Sequence, residues 1–467
     1  MFKLPKLTKK ERSWVVYDIA NSAFILTVIT IFFPILYEMI YMAPHVADGI
    51  SKYLEVAGEQ VSNPAYAELW EGSSSQGILG GTQIFKYMVS VLALVVAVVS
   101  PMIGSWSNYA GNKKKFFIIF LAVAMIGGVG LAIPGYGWVT LLVIFFITSF
   151  GYNLTNVIYD AFLVDVTTED KMDEISSTGY AWGYIGSLIP FFVGLIPYAL
   201  VLFEIIKPGF LGMSQFELER ISISFAFLVS IAWWIYWSLP LLRDVEQTYV
   251  IEKGKDGGDF KASLKRLGTT LKELKSYKYI VIFLIAYLLY IDVVNSVIRL
   301  ATNLGGDLGV GAMTMLGVVV MVQVVAFPSA ILYGRLTKRF GNKIMIYYGI
   351  LIYALGVVMV YFIHEDTTYL MWVVGFFIGT AQGGIQSVSR SYYAKMVPYE
   401  KANDFFGFFS VFGRFAGVFS PFIIAFFQDT DRLGTNTAVL LLLIPLVVAC
   451  ILLFFVNPPK KEQLVEE

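Results

Sequence analysis

Apolar stretches of about 20 residues recur along almost the whole chain, and no other feature limits its folding so strongly. A run of that length crosses a hydrocarbon core as a helix. In lipid only helices and closed barrels satisfy every backbone polar group internally. Twelve such spans are read, at residues 14–42, 78–103, 116–133, 139–160, 178–200, 221–241, 279–300, 313–333, 344–363, 369–392, 405–427 and 437–456. Composition agrees: 57% of the 467 residues are hydrophobic, 15% are charged, and the mean hydropathy is +0.70. Soluble domains average about 45–50% apolar and about 25% charged. These values exclude a soluble enzyme and a disordered protein, and a formal net charge of zero leaves no basic footprint for nucleic acid. The single cysteine, Cys450, excludes a disulfide framework or a thiolate metal cluster. The expected fold is an all-α polytopic membrane protein with twelve transmembrane helices.

Orientation follows from lysine and arginine in the loops. With the N-terminus inside, the inner segments hold 26 of these residues and the outer ones 4, namely Lys52, Lys207, Arg220 and Arg432. Both termini are therefore expected in the cytosol. Trp14, Trp106, Trp138, Trp237 and Trp372 fall near span ends, as interfacial aromatics do. The first span is too long for a signal peptide's apolar region and lacks a small-residue cleavage site, so it is expected to stay uncleaved. Two loops are long. The outer loop, 43–77, is acidic and contains the flexible run Gly72-Ser73-Ser74-Ser75. The inner segment 242–278 joins an N-terminal six-helix bundle, 1–241, to a C-terminal one, 279–467. Within it Phe260, Leu264, Leu267, Leu271 and Leu274 recur at helical spacing opposite Lys261, Lys265, Arg266, Lys272 and Lys275. That pattern suits a helix lying on an anionic membrane surface, or one that binds a partner.

The halves repeat. Gly104-Ser-Trp-Ser-Asn108-Tyr-Ala-Gly111-Asn112-Lys113 follows span 2, and Gly334-Arg-Leu-Thr-Lys338-Arg-Phe-Gly341-Asn342-Lys343 follows span 8. The two copies match in pattern and in topological position, and Gly183 and Gly413 keep the same offset. Such parallel repeats about the membrane normal belong to one large class of secondary transporters. The loop resembles the signature of the major facilitator superfamily, Gly-x-x-x-Asp-x-x-Gly-x-Lys/Arg-Lys/Arg. The signature's acidic position is Asn108 here and Lys338 in the second copy, which argues against an acidic charge relay while keeping the glycines and basic residues.

Polar residues inside the spans follow a period of three helices. Spans 3, 9 and 12 have no charged, Asn or Gln side chain in their cores and span 6 nothing more polar than serine and aromatics, so these are expected to face lipid all round. Spans 1, 4, 7 and 10 carry Asp18 and Asn21; Asn153, Asn156 and Asp160; Asp292, Asn295 and Arg299; Gln382, Gln386 and Arg390. Buried charge in a membrane costs about 2.5–3.5 kcal/mol on insertion scales, so such groups face protein or water. The expected site is a central cavity lined by Asn21, Asn153, Asn156, Asn295, Arg299, Gln382, Gln386 and, from span 11, Arg414. Asp292 and then Asp18 are the candidates for carrying a proton. The expected cytosolic gate comprises Gly104, Asn108, Gly111, Lys113, Asp160, Gly334, Gly341, Lys343 and Arg390, with Asp160 and Arg390 pairing across the halves. The blander alternatives are snorkelling for Asp18, Asp160 and Arg390, a structural ion pair for Asp292 and Arg299, and interhelical hydrogen bonding for the amides.

No nucleotide-cradling loop, metal-ligand spacing or nucleophile–base pair is present in the sequence, so no cofactor, metal or enzymatic activity is expected. Energy would come from an existing gradient, and protons are a candidate coupling ion. Two further stretches resemble the vacuole-effluxer-like family within that superfamily. They are Tyr17-Asp18-Ile19-Ala20-Asn21-Ser22-Ala23-Phe24, and Gly383 to Tyr393 followed by Pro398 and Phe405-Phe406-Gly407. The resemblance implies a permease exporting amino acids or similar small polar solutes, and carries over to Asp18, Asn21, Gln386, Ser389 and Arg390; a monomer is expected. The short N-terminus and compact loops look like prokaryotic members, which implies a plasma membrane. Arg414 or Arg299 would hold a substrate carboxylate, and the amides would supply neutral hydrogen bonds. The alternatives are a carrier of an amphipathic or lipid-like solute, and a non-transporting receptor or scaffold with carrier architecture.

Overall fold

The computed structural model describes every residue except 1–5, 48, 51, 57–58, 72–79, 252–264, 266–267, 270–276, 308–311, 417–419, 421–438 and 459–467. Among the described residues nine helices are long and apolar enough to cross a membrane. They correspond to spans 1–9: Lys9–Ala47, Gly81–Ser107, Asn112–Ala132, Trp138–Ala161, Met172–Leu202, Gln215–Asp244, Lys278–Asp307, Ala312–Phe340 and Asn342–Tyr361. Span 10 is the 27-residue helix Leu370–Met396, made less apolar by Gln382, Gln386 and Arg390. Spans 11 and 12 are described as Ala402–Phe415 and Leu443–Phe454. The basic amphipathic stretch between the halves and the run Gly72–Ser75 lie largely or wholly outside the described residues.

The helices overrun their apolar stretches, because hydropathy marks only the part in hydrocarbon while the backbone bonds continue beyond it. Span 1 starts at Lys9 on a capping box, in which the Thr8 hydroxyl accepts from the Glu11 N–H and the Glu11 carboxylate accepts from the Thr8 N–H. Ser214 and Glu217 start span 6 in the same way. Span 1 also changes winding: Phe24–Phe32 forms a nine-residue π-helical segment, flanked by α-helix on both sides. Such segments are rare and concentrate at functional sites.

One element falls outside the all-helical expectation. In the loop 43–77, strand β1 (Tyr53–Val56) pairs antiparallel with β2 (Glu59–Ser62), with Tyr53 opposite Ser62, and a short helix Pro64–Glu71 follows. Lys52 pairs with Glu38 at 2.7 Å, and the Tyr66 hydroxyl donates to Glu38 at 3.2 Å, so this loop folds back on the end of span 1 remote from Lys9.

The N-terminal half is locked by aromatic packing around span 1. Trp14 stacks on Tyr159 at 4.7 Å, Phe24 lies 4.8 Å from Trp234, and Trp234 Nε1 donates to the Tyr17 hydroxyl at 3.3 Å. Phe117 of span 3, Ile346 of span 9 and Leu446 of span 12 are buried too, so the expectation that spans 3, 6, 9 and 12 can face lipid all round is corrected, most plainly for span 6. It buries Phe227, Ser230 and Trp234 against span 1 and exposes Ile221, Phe225, Leu228, Ile235 and Leu239. An apolar helix supplies van der Waals contact to its neighbours as readily as to lipid, so absence of polar groups does not set how many faces it packs.

Both described ends lie on one face of the molecule. Lys9 pairs with Asp244 at 2.7 Å, and Thr167 Oγ1 donates to Glu11 at 2.8 Å. Lys343 Nζ donates to the carbonyls of Phe454 and Val456 at 2.8 and 3.0 Å. This is called the terminal face below.

Candidate functional site

A cavity of about 630 Å³ lies between the two halves. Its walls are Asp18, Asn21, Ser22, Ile25, Leu26, Thr30 and Ile31 from span 1, Tyr152, Asn156, Tyr159 and Asp160 from span 4, and Asn295 from span 7. Span 10 adds Gln382, Gln386 and Arg390. Spans 5 and 8 contribute as well, through Tyr180 and Tyr184 and through Val319, Val322 and Gln323. The first members of the helical triplets thus line the cavity but do not enclose it alone. Span 5 presses on the floor so closely that a Cβ at Gly179 would collide with the Asp18 carboxylate. From Asp18 to Ile31 the wall runs along 13 residues of span 1, the upper part of it in the π-helical segment Phe24–Phe32.

The floor is a charge node centred on Arg390. Its NH1 donates to Asp160 at 3.1 Å and its NH2 to Asp18 at 3.2 Å. Nε donates to Ser176 Oγ at 3.0 Å, and NH2 also to the Ser176 carbonyl at 3.1 Å. The guanidinium lies 4.6 Å from the Trp14 ring and 4.4 Å from the Tyr180 ring. Its side chain is 2% exposed, Asp18's 8% and Asp160's 26%. Snorkelling does not describe an arginine held by two carboxylates and two rings. The planar fork is what makes this possible, since it presents five donors in fixed directions and stacks on aromatic faces.

Asp160 and Arg390 are 230 residues apart, the offset of the internal repeat. The same holds for Glu169 and Tyr399, whose hydroxyl donates to Glu169 at 3.3 Å. A position meets its own repeat mate only on the pseudo-two-fold axis. The charge node therefore sits on the axis that relates the two halves.

Below the node the halves are bonded together on the terminal face. Ser176 Oγ donates to the Ser387 carbonyl at 2.8 Å, and on the cavity side of the node Tyr184 donates to Gln386 at 3.2 Å. Asp173 accepts from Asn342 and Ser391, both at 2.6 Å, and pairs with Lys395. The repeat loops take matching parts. Asn108 Oδ1 accepts from the Asn403 backbone N–H at 3.2 Å and from Asn403 Nδ2 at 2.8 Å, at the start of span 11. Lys338 pairs with Glu174, at the start of span 5. A Cβ at Gly104 would strike the Asn403 carbonyl, and one at Gly334 would come within 2.8 Å of Ser177 Cβ. These glycines are close-approach residues, while Gly111 and Gly341 turn the loops at φ 78° and 83°.

The remaining basic members of the expected gate are used within their own halves. Lys113 is buried against Asp165 at 2.5 Å and donates to the Ala161 carbonyl at 2.8 Å. Lys343 ties the loop to the end of span 12. Asp165 Oδ1 also accepts from the backbone N–H groups of Thr248 and Tyr249 at 2.8 and 3.0 Å. The start of the inter-half segment is thereby strapped across the first repeat loop, where Ile251 pairs with Asn108 and Ala110. Tyr249 in turn packs at a tilt of 53° against Tyr399 of the other half, with ring centroids 5.0 Å apart.

Several expected site residues lie elsewhere. Asn153 does not border the cavity, although Tyr152 and Asn156 on the same helix do. Asp292 does not border it either; it is 2% exposed and accepts from the Ser420 N–H at 2.7 Å and from its hydroxyl. The side chains of Arg299 and Arg414 fall outside the described residues. Tyr152, Tyr159, Tyr180, Tyr184 and Gln323 were missed by sequence reasoning. Gln323 carried a signal, a lone amide in the run Val319 to Val325; the tyrosines are indistinguishable in sequence from ordinary packing aromatics.

The family described as "Vacuole effluxer Atg22 like" matches residues 7–465. An uncharacterized MFS-type transporter, YxiO of Bacillus subtilis, is 37% identical over 94% of this chain and 93% of its own. Autophagy-related protein 22 of Kluyveromyces lactis is 24% identical over 91% and 89%. Among solved structures, the human organic anion transporter MFSD10 superposes with a TM-score of 0.65 at 12% identity, covering 95% of this chain and 99% of that one. The proton:xylose symporter XylE gives 0.62 at 13% identity, covering 97% and 96%. The chain belongs to the Atg22-like vacuole effluxer family: it has the major facilitator fold and is a multi-pass membrane protein and MFS-type transporter.

Proposed function

With that membership as premise, we propose that the chain carries small polar solutes, amino acids first among them, by alternating access, with both termini in the cytosol of a prokaryotic cell. The observation that supports this most is the cavity itself. It lies between the halves, is walled by residues from both, and is closed at the terminal face by inter-half bonds around Arg390. Rocking of the halves would break those bonds and expose the same cavity to the other side. Asn21, Asn156, Asn295, Gln382 and Gln386 supply neutral hydrogen bonds to the solute. Arg299 and Arg414 are proposed for a solute carboxylate. Asp18 is now preferred over Asp292 for proton coupling, because Asp18 borders the cavity and Asp292 is bonded to span 11. The distribution of basic residues supports the orientation, and the chain works as a monomer without a cofactor.

The test is a thermal-shift screen of purified protein against amino acids and other metabolites, followed by flux of each hit in proteoliposomes. A ligand at 100 times its Kd stabilises by about 2.7 kcal/mol. Stabilisation together with gradient-driven flux is the expected result. Binding without flux under any gradient would instead indicate a receptor.

A further inference from the structure

Span 1 meets the cavity with its main chain as well as its side chains. At the end of the π-helical segment Phe24–Phe32 the Phe33 N–H donates five residues back, to the Val28 carbonyl. The next residue is Pro34, which has no N–H to donate. The Ile29 carbonyl thereby loses both helical donors, Phe33 to the altered winding and residue 34 to proline. The Thr30 carbonyl loses its i+4 donor to the same proline. No side chain among the described residues donates to either. The Thr27 hydroxyl reports the same change of winding. It is fully buried with no partner among the described residues, whereas Thr148, Thr155 and Thr337 in α-helical spans each donate to the carbonyl four residues back.

This stretch belongs to the cavity wall. Residues of span 1 that line it recur first at four residues, Asp18 to Ser22 and Asn21 to Ile25, and then at five, Ile25 to Thr30 and Leu26 to Ile31. Thr30 and Ile31 are neighbours on that wall, so the peptide joining them, which carries the Thr30 carbonyl, lies on it too. The other lining residues of the segment, Ile25, Leu26 and Ile31, are apolar.

We infer that the main chain at Ile29 and Thr30 is a binding site for an N–H donor of the solute, an ammonium in the first place. A backbone carbonyl freed inside a membrane protein needs a partner from outside its helix. Carbonyls left open at the end of a helical run also carry the negative end of its dipole, which favours a cation. Water serves them while the cavity is empty, and the solute's donor displaces it. Solutes with N–H groups are therefore retained, and analogues with the same charge but no N–H are not. Pro34 is a positioning residue for this site, since it acts only through the carbonyls it leaves open.

This inference rests on the carrier reading, and the test separates the two. Full-length protein is assayed by thermal shift and by proteoliposome flux with the common amino acids and with the N,N,N-trimethyl derivative of each. The derivative keeps the positive charge and has no N–H. Each pair is measured on the parent, Pro34→Ala and Thr30→Val. The parent is expected to bind the amino acid about ten-fold or more tightly than its derivative, as a hydrogen bond from a charged donor implies. Pro34→Ala supplies the missing N–H, so the preference collapses toward equality. Its melting temperature without solute does not fall, because proline inside a helix is destabilising. Thr30→Val removes a hydroxyl, leaves the carbonyls and keeps the preference. Equal binding of the two forms by the parent, a preference unchanged in Pro34→Ala, or a preference lost in Thr30→Val alone, each overturns the assignment. Flux of solutes without N–H groups, and none of amino acids, would overturn it while leaving the carrier reading standing. Absence of flux for every solute in the wider screen would remove the carrier reading and this site with it.

Discussion

Arg390 was legible in the sequence as a charge inside a span, and its pairing with Asp160 as a matter of repeat offset. What the sequence could not show is that Asp18 shares the same guanidinium, because Asp18 opens its span 372 residues away. Arg390→Lys keeps the charge but not the fork. One ammonium cannot reach Asp18, Asp160 and Ser176 in the geometry of four hydrogen bonds. The variant is expected to loosen the terminal face, measured as at least about ten-fold faster maleimide labelling of a Ser177→Cys reporter, a shift of about 1.4 kcal/mol. The buried pair of Lys113 and Asp165 behaves differently. Lys113→Met leaves an uncompensated buried carboxylate and is expected to cost roughly 3–5 kcal/mol in thermal unfolding. Adding Asp165→Asn recovers most of that loss, because the amide oxygen still accepts from Thr248 and Tyr249.

Individual helices were read well from hydropathy, and their ends less well, since polar caps such as Thr8 with Glu11 extend a helix beyond hydrocarbon. The polarity period of three helices placed spans 1, 4, 7 and 10 at the cavity. It missed spans 5 and 8 because their contributions are tyrosines, valines and a single glutamine. It also missed the one-sided packing of span 6, which depends on where Trp234 meets Tyr17. The repeat loops carry an element-scale prediction. Gly104→Val and Gly334→Val each insert bulk where a helix of one half touches the start of a helix in the other. Both are expected to hold the terminal face open, and to similar extents, as seen by Ser177→Cys labelling. The strap formed by Thr248 to Ile251 carries another. Tyr249→Ala removes its ring contact with Tyr399, worth about 0.5–1.5 kcal/mol. It should raise labelling several-fold while leaving the melting temperature nearly unchanged, since the strap's hydrogen bonds to the first half persist.

The whole molecule consists of two repeats closed against each other at the terminal face, with a cavity above the closure. In the proposed carrier cycle the halves rock about a line perpendicular to the pseudo-two-fold axis, which is marked by Asp160 with Arg390 and Glu169 with Tyr399. The most direct measurement is a pair of spin-label distances in a Cys450→Ser background reconstituted in bilayers. One pair is Lys171→Cys with Lys401→Cys on the terminal face; the other is Tyr136→Cys with Asp366→Cys at the opposite end of the helices. The account predicts two populations in which the terminal-face distance lengthens as the opposite one shortens, with the balance shifted by a transported solute. Distances that stay fixed in every condition, or that lengthen and shorten together, would contradict it.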